Sequence, residues 1–177
     1  MHRLVKLISE QQISKRVQEL GREISQDFRG QKLVLVTPLK GGVFFLSDLA
    51  RRISVPVELD FVSAHSYEGE TSSGKVRLEK GPSLDLKGNN VLLVEDIVDT
   101  GRTCSFLIEL IGGQEPDVLK VCSLLDKTAR RQVPVGLDYV GFTIEDRFVV
   151  GYGLDYVEQY RNLRDIFYIE RKQDPAS

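Results

Sequence analysis

Between residues 9 and 30, Ile13, Val17, Leu20, Ile24 and Phe28 recur at three- and four-residue spacing, and Ser9-Glu10-Gln11-Gln12 precedes them as a capping box. The spacing predicts an amphipathic helix that Gly30 ends. Lys32 to Thr37 is a short, nearly continuous apolar run, the mark of a strand covered on both faces, and Pro38 breaks it. Helical spacing returns from Gly42 to Ile53 through Phe45, Leu46 and Leu49. Val55 to His65 is again rich in β-branched residues with partial alternation. Strand, helix, strand in this order is the unit of a parallel sheet.

From Ser66 to Lys75 almost nothing is apolar, and the segment reads as an exposed, mobile loop. Val76 to Glu79 alternates as a strand does, and Gly81 to Asn90 is a turn region. A buried strand follows at Val91 to Val94, then a helix from Thr103 to Ile111 and a strand from Val118 to Leu125. Beyond Lys127 the pattern loosens. It gives short strands at Tyr139 to Ile144 and Phe148 to Tyr152, a polar turn or short helix over Leu154 to Leu163, and a last strand at Ile166 to Ile169, together reading as a cover on the sheet. The prediction is one α/β domain over residues 1–177, with a central, mainly parallel twisted sheet flanked by helices. Its core spans about residues 30–145, and a small hood comes from the amino-terminal end and about residues 146–177.

Composition narrows the function. With 24 basic against 26 acidic residues there is no global positive field to wrap nucleic acid, so any anion binding is local. Cys104 and Cys122 stand in apolar contexts without metal-ligand spacing and read as reduced, buried thiols. Met1 to Glu10 lacks the apolar stretch and cleavage site of a signal peptide, and no later run is long enough to span a bilayer. The expectation is a cytoplasmic enzyme with neither a membrane nor a nucleic-acid partner.

The candidate chemistry lies where the strand Val91 to Val94 runs into Glu95-Asp96, with Asp99 three residues further. Carboxylates about 4 Å apart repel by roughly 1 to 4 kcal/mol, so a divalent cation or a polyhydroxylated ligand is needed to compensate them. Thr100-Gly101-Arg102-Thr103 follows at the start of a helix, where free N–H groups and the helix dipole favour a phosphate. A ribose with a phosphate on one side matches this order. Taken singly, an Asp before a helix is an N-cap and Thr-Gly-x-Thr is a common turn. The string from Val91 to Thr103 asks for a joint explanation.

That string resembles the phosphoribosyl pyrophosphate motif of the type I phosphoribosyltransferases, and its Glu-Asp-Ile-Val-Asp-Thr-Gly form looks like the hypoxanthine-guanine branch. Leu39-Lys40-Gly41-Gly42 resembles the family's pyrophosphate loop, Ser66-Tyr67 the start of its catalytic loop, and Leu125-Asp126-Lys127 with Arg130-Arg131 its base-reading strand end. Phe148 to Tyr156 and Tyr160-Arg161-Asn162-Leu163 resemble its purine-covering hood.

The resemblance implies a Rossmann-like fold and a purine-salvage transferase. Such an enzyme moves the 5-phosphoribosyl group from phosphoribosyl pyrophosphate to N9 of hypoxanthine or guanine, giving IMP or GMP and pyrophosphate through an oxocarbenium-like transition state. Asp99 is implied as the general acid/base at purine N7, with Ser66 and Tyr67 closing over the reacting centre to exclude water. Glu95 and Asp96 are implied at the ribose hydroxyls and Mg²⁺, and Thr100, Gly101, Arg102 and Thr103 at the 5′-phosphate. Leu39, Lys40, Gly41 and Arg161 are implied at pyrophosphate, with a non-proline cis bond at Leu39-Lys40. Lys127 is implied at purine O6, Phe148 stacking on the base, Val149 offering backbone groups to its edge, and Asp155 beside base and metal. A homodimer or homotetramer is implied as well.

Two positions depart from the pattern: Glu145, and Arg164-Asp165 after Asn162-Leu163, stand where proline is frequent. Rivals are a regulatory protein that kept the fold to bind nucleic acid, and a pyrimidine or xanthine transferase. Against the first stand the balanced charge and Asp99; against uracil and adenine stand Lys127 and Phe148-Val149.

Overall fold

A computed structural model describes residues 3–66 and 76–170. In chain order its elements are β1 (Arg3–Ile8), α1 (Glu10–Asp27), β2 (Leu33–Pro38), α2 (Gly42–Ala50), β3 (Val57–Ser66), β4 (Val76–Lys80), β5 (Asn90–Val98), α3 (Arg102–Gly112), β6 (Val118–Asp126), a 3₁₀ turn (Thr128–Arg130), β7 (Tyr139–Thr143), β8 (Val149–Val150) and β9 (Ile166–Glu170). They form a six-stranded sheet in the order β4-β3-β2-β5-β6-β7 and a three-stranded sheet in the order β1-β9-β8. The larger sheet is parallel throughout except for β4, which runs antiparallel to β3.

The continuous apolar runs have a simple cause. Successive side chains of a strand point to opposite faces. Leu33 and Leu35 of β2, with Leu92 and Val94 of β5, pack toward α1 and α2, while Val34, Val36, Val91 and Leu93 pack toward α3. Both faces being covered, both sets are apolar. α1 begins at the expected capping box: the Ser9 hydroxyl accepts from Gln12 N–H at 3.3 Å, and Ser9 N–H donates to Gln12 Oε1 at 2.9 Å. Its buried stripe is Ile13, Val17, Leu20 and Ile24. Arg16 on its flank donates to the carbonyls of Val140 and Gly141, covering the outer edge of β7.

Three expectations change and one open choice is decided. Residues 3–8 form a strand that the pattern did not reveal, because its apolar residues come in pairs and its partner β9 lies at the far end of the chain. β7 joins the large sheet as its edge, so the cover consists of β1, β9 and β8. α2 stops at Ala50 rather than Ile53. Of the two alternatives for residues 154–163, turn or short helix, the turn is found: Val157 and Glu158 have φ of 51° and 61°, and Tyr156 and Gln159 exchange backbone hydrogen bonds around them as in a tight hairpin turn. The proposed loop from Ser66 to Lys75 lies, beyond Ser66, outside the described residues. Among the described residues no helix is long and apolar enough to cross a membrane.

Leu20 is fully buried at the middle of α1 and Gln18 beside it is exposed. Leu20→Ala is expected to lower the unfolding free energy by about 3 kcal/mol, and Gln18→Ala to stay within about 0.5 kcal/mol of the parent, in urea denaturation. Equal effects would mean that α1 does not carry the packing described.

Candidate active site

β2 and β5 are neighbours at the centre of the sheet, but their helical connections leave in opposite directions, β2 through α2 to β3 and β5 through α3 to β6. A crevice opens at the carboxyl ends of such a pair. The loop after β2 and the end of β5 meet there. The Thr37 hydroxyl donates to the Val94 carbonyl at 2.6 Å, and a Cβ on Gly41 would lie 1.8 Å from Asp96 Oδ2, so only glycine lets this loop approach the acid. The Leu39-Lys40 bond is cis, the isomer the resemblance implies.

β5 continues through Glu95 and Asp96 to Val98, so both acids are strand residues and point to opposite faces. Glu95 is buried, and its carboxyl is held well above the usual carboxylate range, first by burial and then by the Asp96 charge. Asp96 is pushed up to about 6, chiefly because surrounding protein displaces water from it. Ile97 N–H donates to its Oδ1 at 2.8 Å, which opposes the shift. Asp99 Oδ2 takes Lys127 Nζ at 3.3 Å and Arg130 Nη1 at 3.5 Å. Burial also pushes the free thiols of Cys104 and Cys122 up, so both stay protonated.

Among the described residues, the buried side-chain polar atoms without a hydrogen-bond partner are Glu95 Oε1, Asp99 Oδ1 and Arg161 Nε. All three belong to residues of this crevice. Two acceptors and one donor, left unpaired where such groups are costly, specify a ligand carrying hydroxyl or N–H donors together with an anionic acceptor.

Two adjoining cavities share Leu39, Gly41, Asp96 and Asp99 as a common wall. The first, about 300 Å³, also takes in Glu95, Thr100, Gly101 and Thr103. Gly101, at φ 86°, caps α3 without a side chain of its own; Arg102 N–H donates to Thr100 Oγ1 at 3.4 Å, and the N–H groups of the rest of the first turn are available to an incoming anion. The second, about 530 Å³, adds Lys40, Lys127, Phe148, Val149, Asp155 and Arg161. Phe148 is 54% exposed and packs at right angles to Tyr156, with ring centroids 5.7 Å apart, so much of the ring is free to meet a flat ligand. Lys127 is buried, and Lys40 extends to Glu158 at 3.1 Å.

Four proposed residues stand differently. The exposed side chain of Arg102 lines neither cavity. Ser66 ends β3, and Tyr67 lies outside the described residues. Asp155 is engaged by Arg161 at 2.8 Å and by Glu158 N–H at 2.9 Å, and among the described residues no three acid, His or Cys side chains converge on a metal position.

Residues without an assigned role also shape the site. Arg131 donates to the carbonyls of Asp99 and Val98 at 3.1 and 3.3 Å and pairs closely with Asp126, while Gln132 and Val133 N–H groups donate to the Thr100 carbonyl. This binds the strand end bearing Lys127 to the loop bearing Asp99. Two adjacent arginines, three and four residues after a strand-end lysine, were the signal in the sequence.

A family model described as the phosphoribosyl transferase domain matches residues 6–157. The hypoxanthine phosphoribosyltransferase of Salmonella typhimurium is 44% identical over 165 residues, 92% of this chain and 93% of its own. The hypoxanthine-guanine phosphoribosyltransferase of Mycobacterium avium is 47% identical over 164 residues, 89% of this chain and 81% of its own. A solved hypoxanthine-guanine phosphoribosyltransferase from Bacillus anthracis matches with a TM-score of 0.89 at 43% identity, covering 96% of this chain and all of that one.

The folded chain holds the Asp96 proton more tightly than the unfolded chain does, so stability is lost as the pH rises from the ordinary 3.8 through about 6. In ligand-free protein at about pH 7, Asp96→Asn is expected to be more stable than the parent by up to about 3 kcal/mol, the gap closing near about pH 4. Urea unfolding at both pH values measures this. A variant no more stable at the higher pH would show that water relieves the buried charge.

Proposed function

The chain belongs to the phosphoribosyltransferase family, and we propose that its crevice transfers the 5-phosphoribosyl group of phosphoribosyl pyrophosphate to N9 of hypoxanthine or guanine, releasing pyrophosphate. The observation that carries the acceptor is the pair Asp99 and Lys127. Asp99 Oδ1 is an unpaired acceptor, and the Lys127 ammonium, a donor, lies 3.3 Å from the other oxygen of the same carboxylate. A ligand edge with an N–H beside a carbonyl meets both, and the N7/O6 edge of a 6-oxopurine is such an edge.

On this reading the 5′-phosphate sits at the amino end of α3, against Thr100, Gly101 and Thr103, and the ribose hydroxyls donate to Glu95 and Asp96. Phe148 stacks on the base and Lys127 donates to O6. As N9 bonds to C1′ and the bond from C1′ to pyrophosphate breaks, the purine gives its N7 proton to Asp99. The carboxylates stand close to the positive charge that develops on the ribose. Leu39 to Gly41 and Arg161 hold the departing pyrophosphate.

Mg²⁺ belongs to the same proposal. The unpaired Glu95 Oε1 and the raised proton affinity of Asp96 mark a surplus of negative charge that a cation relieves. Glu95, Asp96 and Asp155 do not converge on one point, so each would supply at most part of an ion's shell, with water and substrate oxygens completing it, the incomplete protein ligand set that Mg²⁺ usually takes. When bound, it neutralises pyrophosphate as a leaving group. We also take the chain to act in the cytoplasm as a homodimer or homotetramer, a reading supported by the exposed Leu39 and Phe44 beside the site.

A spectrophotometric assay with phosphoribosyl pyrophosphate, Mg²⁺ and each of hypoxanthine, guanine, xanthine and adenine is expected to give turnover with hypoxanthine or guanine, which chelation of the metal abolishes. Inactivity with all four bases overturns the reading, and turnover with xanthine alone moves the acceptor. Asp99→Asn is expected to lower kcat by roughly 100-fold or more while the KM for phosphoribosyl pyrophosphate changes little. Unchanged turnover removes Asp99 from proton transfer.

A further inference from the structure

The acceptor side of the site contains a closed ring of alternating charge. Lys127 Nζ lies 3.3 Å from Asp99 Oδ2 and 3.8 Å from Asp146 Oδ1. The Arg130 guanidinium lies 3.5 Å from the same oxygen of Asp99 and 3.8 Å from the same oxygen of Asp146. Each cation therefore faces both acids. The two cations differ in setting: the Lys127 side chain is 5% exposed, whereas that of Arg130 is 48% exposed at the cavity mouth. The 3₁₀ turn that begins after Lys127 and ends at Arg130 fixes their separation, with Arg130 N–H donating to the Lys127 carbonyl at 3.4 Å.

We propose that Arg130 is a positioning residue for the transfer: it holds Asp99 by Oδ2 when Lys127 turns to the purine, leaving Oδ1 aimed at the N7 proton. The inference rests on the acceptor reading above. An ammonium with almost no access to water that donates to a purine carbonyl gives up part of its contact with Asp99. Without a second cation, the carboxylate would be left half-buried with neither oxygen paired at the moment it must accept a proton in a set direction. The guanidinium is fitted to this task because it is planar, always charged and able to stay on Asp99 and Asp146 at once. Asp146 completes the arrangement by anchoring Arg130 from the solvent side.

The test is a double-mutant cycle in the full chain, read with phosphoribosyl pyrophosphate, Mg²⁺ and hypoxanthine. Arg130→Ala is expected to lower kcat roughly fivefold, with the KM for phosphoribosyl pyrophosphate within about twofold of the parent. Arg130→Lys is expected to recover part of that loss, because an ammonium restores charge beside Asp99 but cannot reach both acids at once. In an Asp99→Asn background, Arg130→Ala is expected to have no further effect, because the carboxylate it positions is gone. The proposal is overturned if Arg130→Ala leaves kcat unchanged, or if it costs the same factor with and without the Asp99 carboxylate. It is also overturned if Arg130→Lys restores nothing. A parent chain inactive with every base would instead sink the reading of function, and the two failures are thus distinguishable. Matching melting temperatures of parent and Arg130→Lys keep the comparison on chemistry even where the alanine variant folds poorly.

Discussion

Where β2 lies beside β5, the Thr37 hydroxyl is bonded to the Val94 carbonyl and Gly41 passes against Asp96, and the rest of the site depends on this junction. Parallel pairing puts both strands' carboxyl ends at the same edge, and crossovers of opposite direction keep any helix from filling the space between them. The loop Leu39 to Gly42 and the acid cluster are about fifty residues apart in the chain yet share one wall. A side chain at position 41 would force them apart.

The crevice concentrates what the rest of the fold avoids. Elsewhere the described interior is built from apolar residues in two clusters, one on each face of the sheet, and its buried polar groups find partners; Asp60, for instance, accepts three backbone N–H groups. At the end of β5, Glu95 is buried and Asp96 half-buried on opposite faces of the strand, both held above the usual carboxylate range chiefly by lost water, and Asp99 keeps one oxygen unpaired. Such groups destabilise the empty protein and are retained where a ligand supplies the missing partners. The unpaired nitrogen of Arg161 marks the opposite need, an anion, on the far side of the same wall.

The segment after β6 brings Lys127 and the Asp99 loop into one frame. Lys127 N–H donates to the Val98 carbonyl, Arg131 grips Val98 and Asp99, and Gln132 and Val133 hold Thr100. The loop that carries the Asp99 carboxylate and the strand end that carries Lys127 are therefore tied together by several hydrogen bonds. The Arg164-Asp165 departure has a local role: Asp165 accepts from Glu10 N–H at 2.7 Å and pairs with Lys6 at 2.6 Å, tying the hood to the start of α1 in place of a proline. Glu145 pairs with Arg147 on the surface, and nothing else in the structure explains it.

The order of elements was legible in the sequence because each strand and helix of the large sheet carries its own period, and the acid-rich string ending in Thr100 to Thr103 is local chemistry at a strand end. Ile13 to Phe28, Val34 to Val36 and Val91 to Val94 needed no partner to be recognised. Residues 3–8 became a strand only by pairing with residues 166–170, and residues 154–163 became tight turns only because positive φ at Val157 and Glu158 closes a hairpin there. The same divide runs through the site. The sequence places Glu95, Asp96 and Asp99 together, whereas their burial, their missing partners and the ring joining Asp99, Lys127, Arg130 and Asp146 arise from the pairing of β5 with β6 and from the turn that follows. Side-chain period is a property of neighbouring residues, while desolvation and charge pairing depend on distant segments packed against them, so only the tertiary structure decides them.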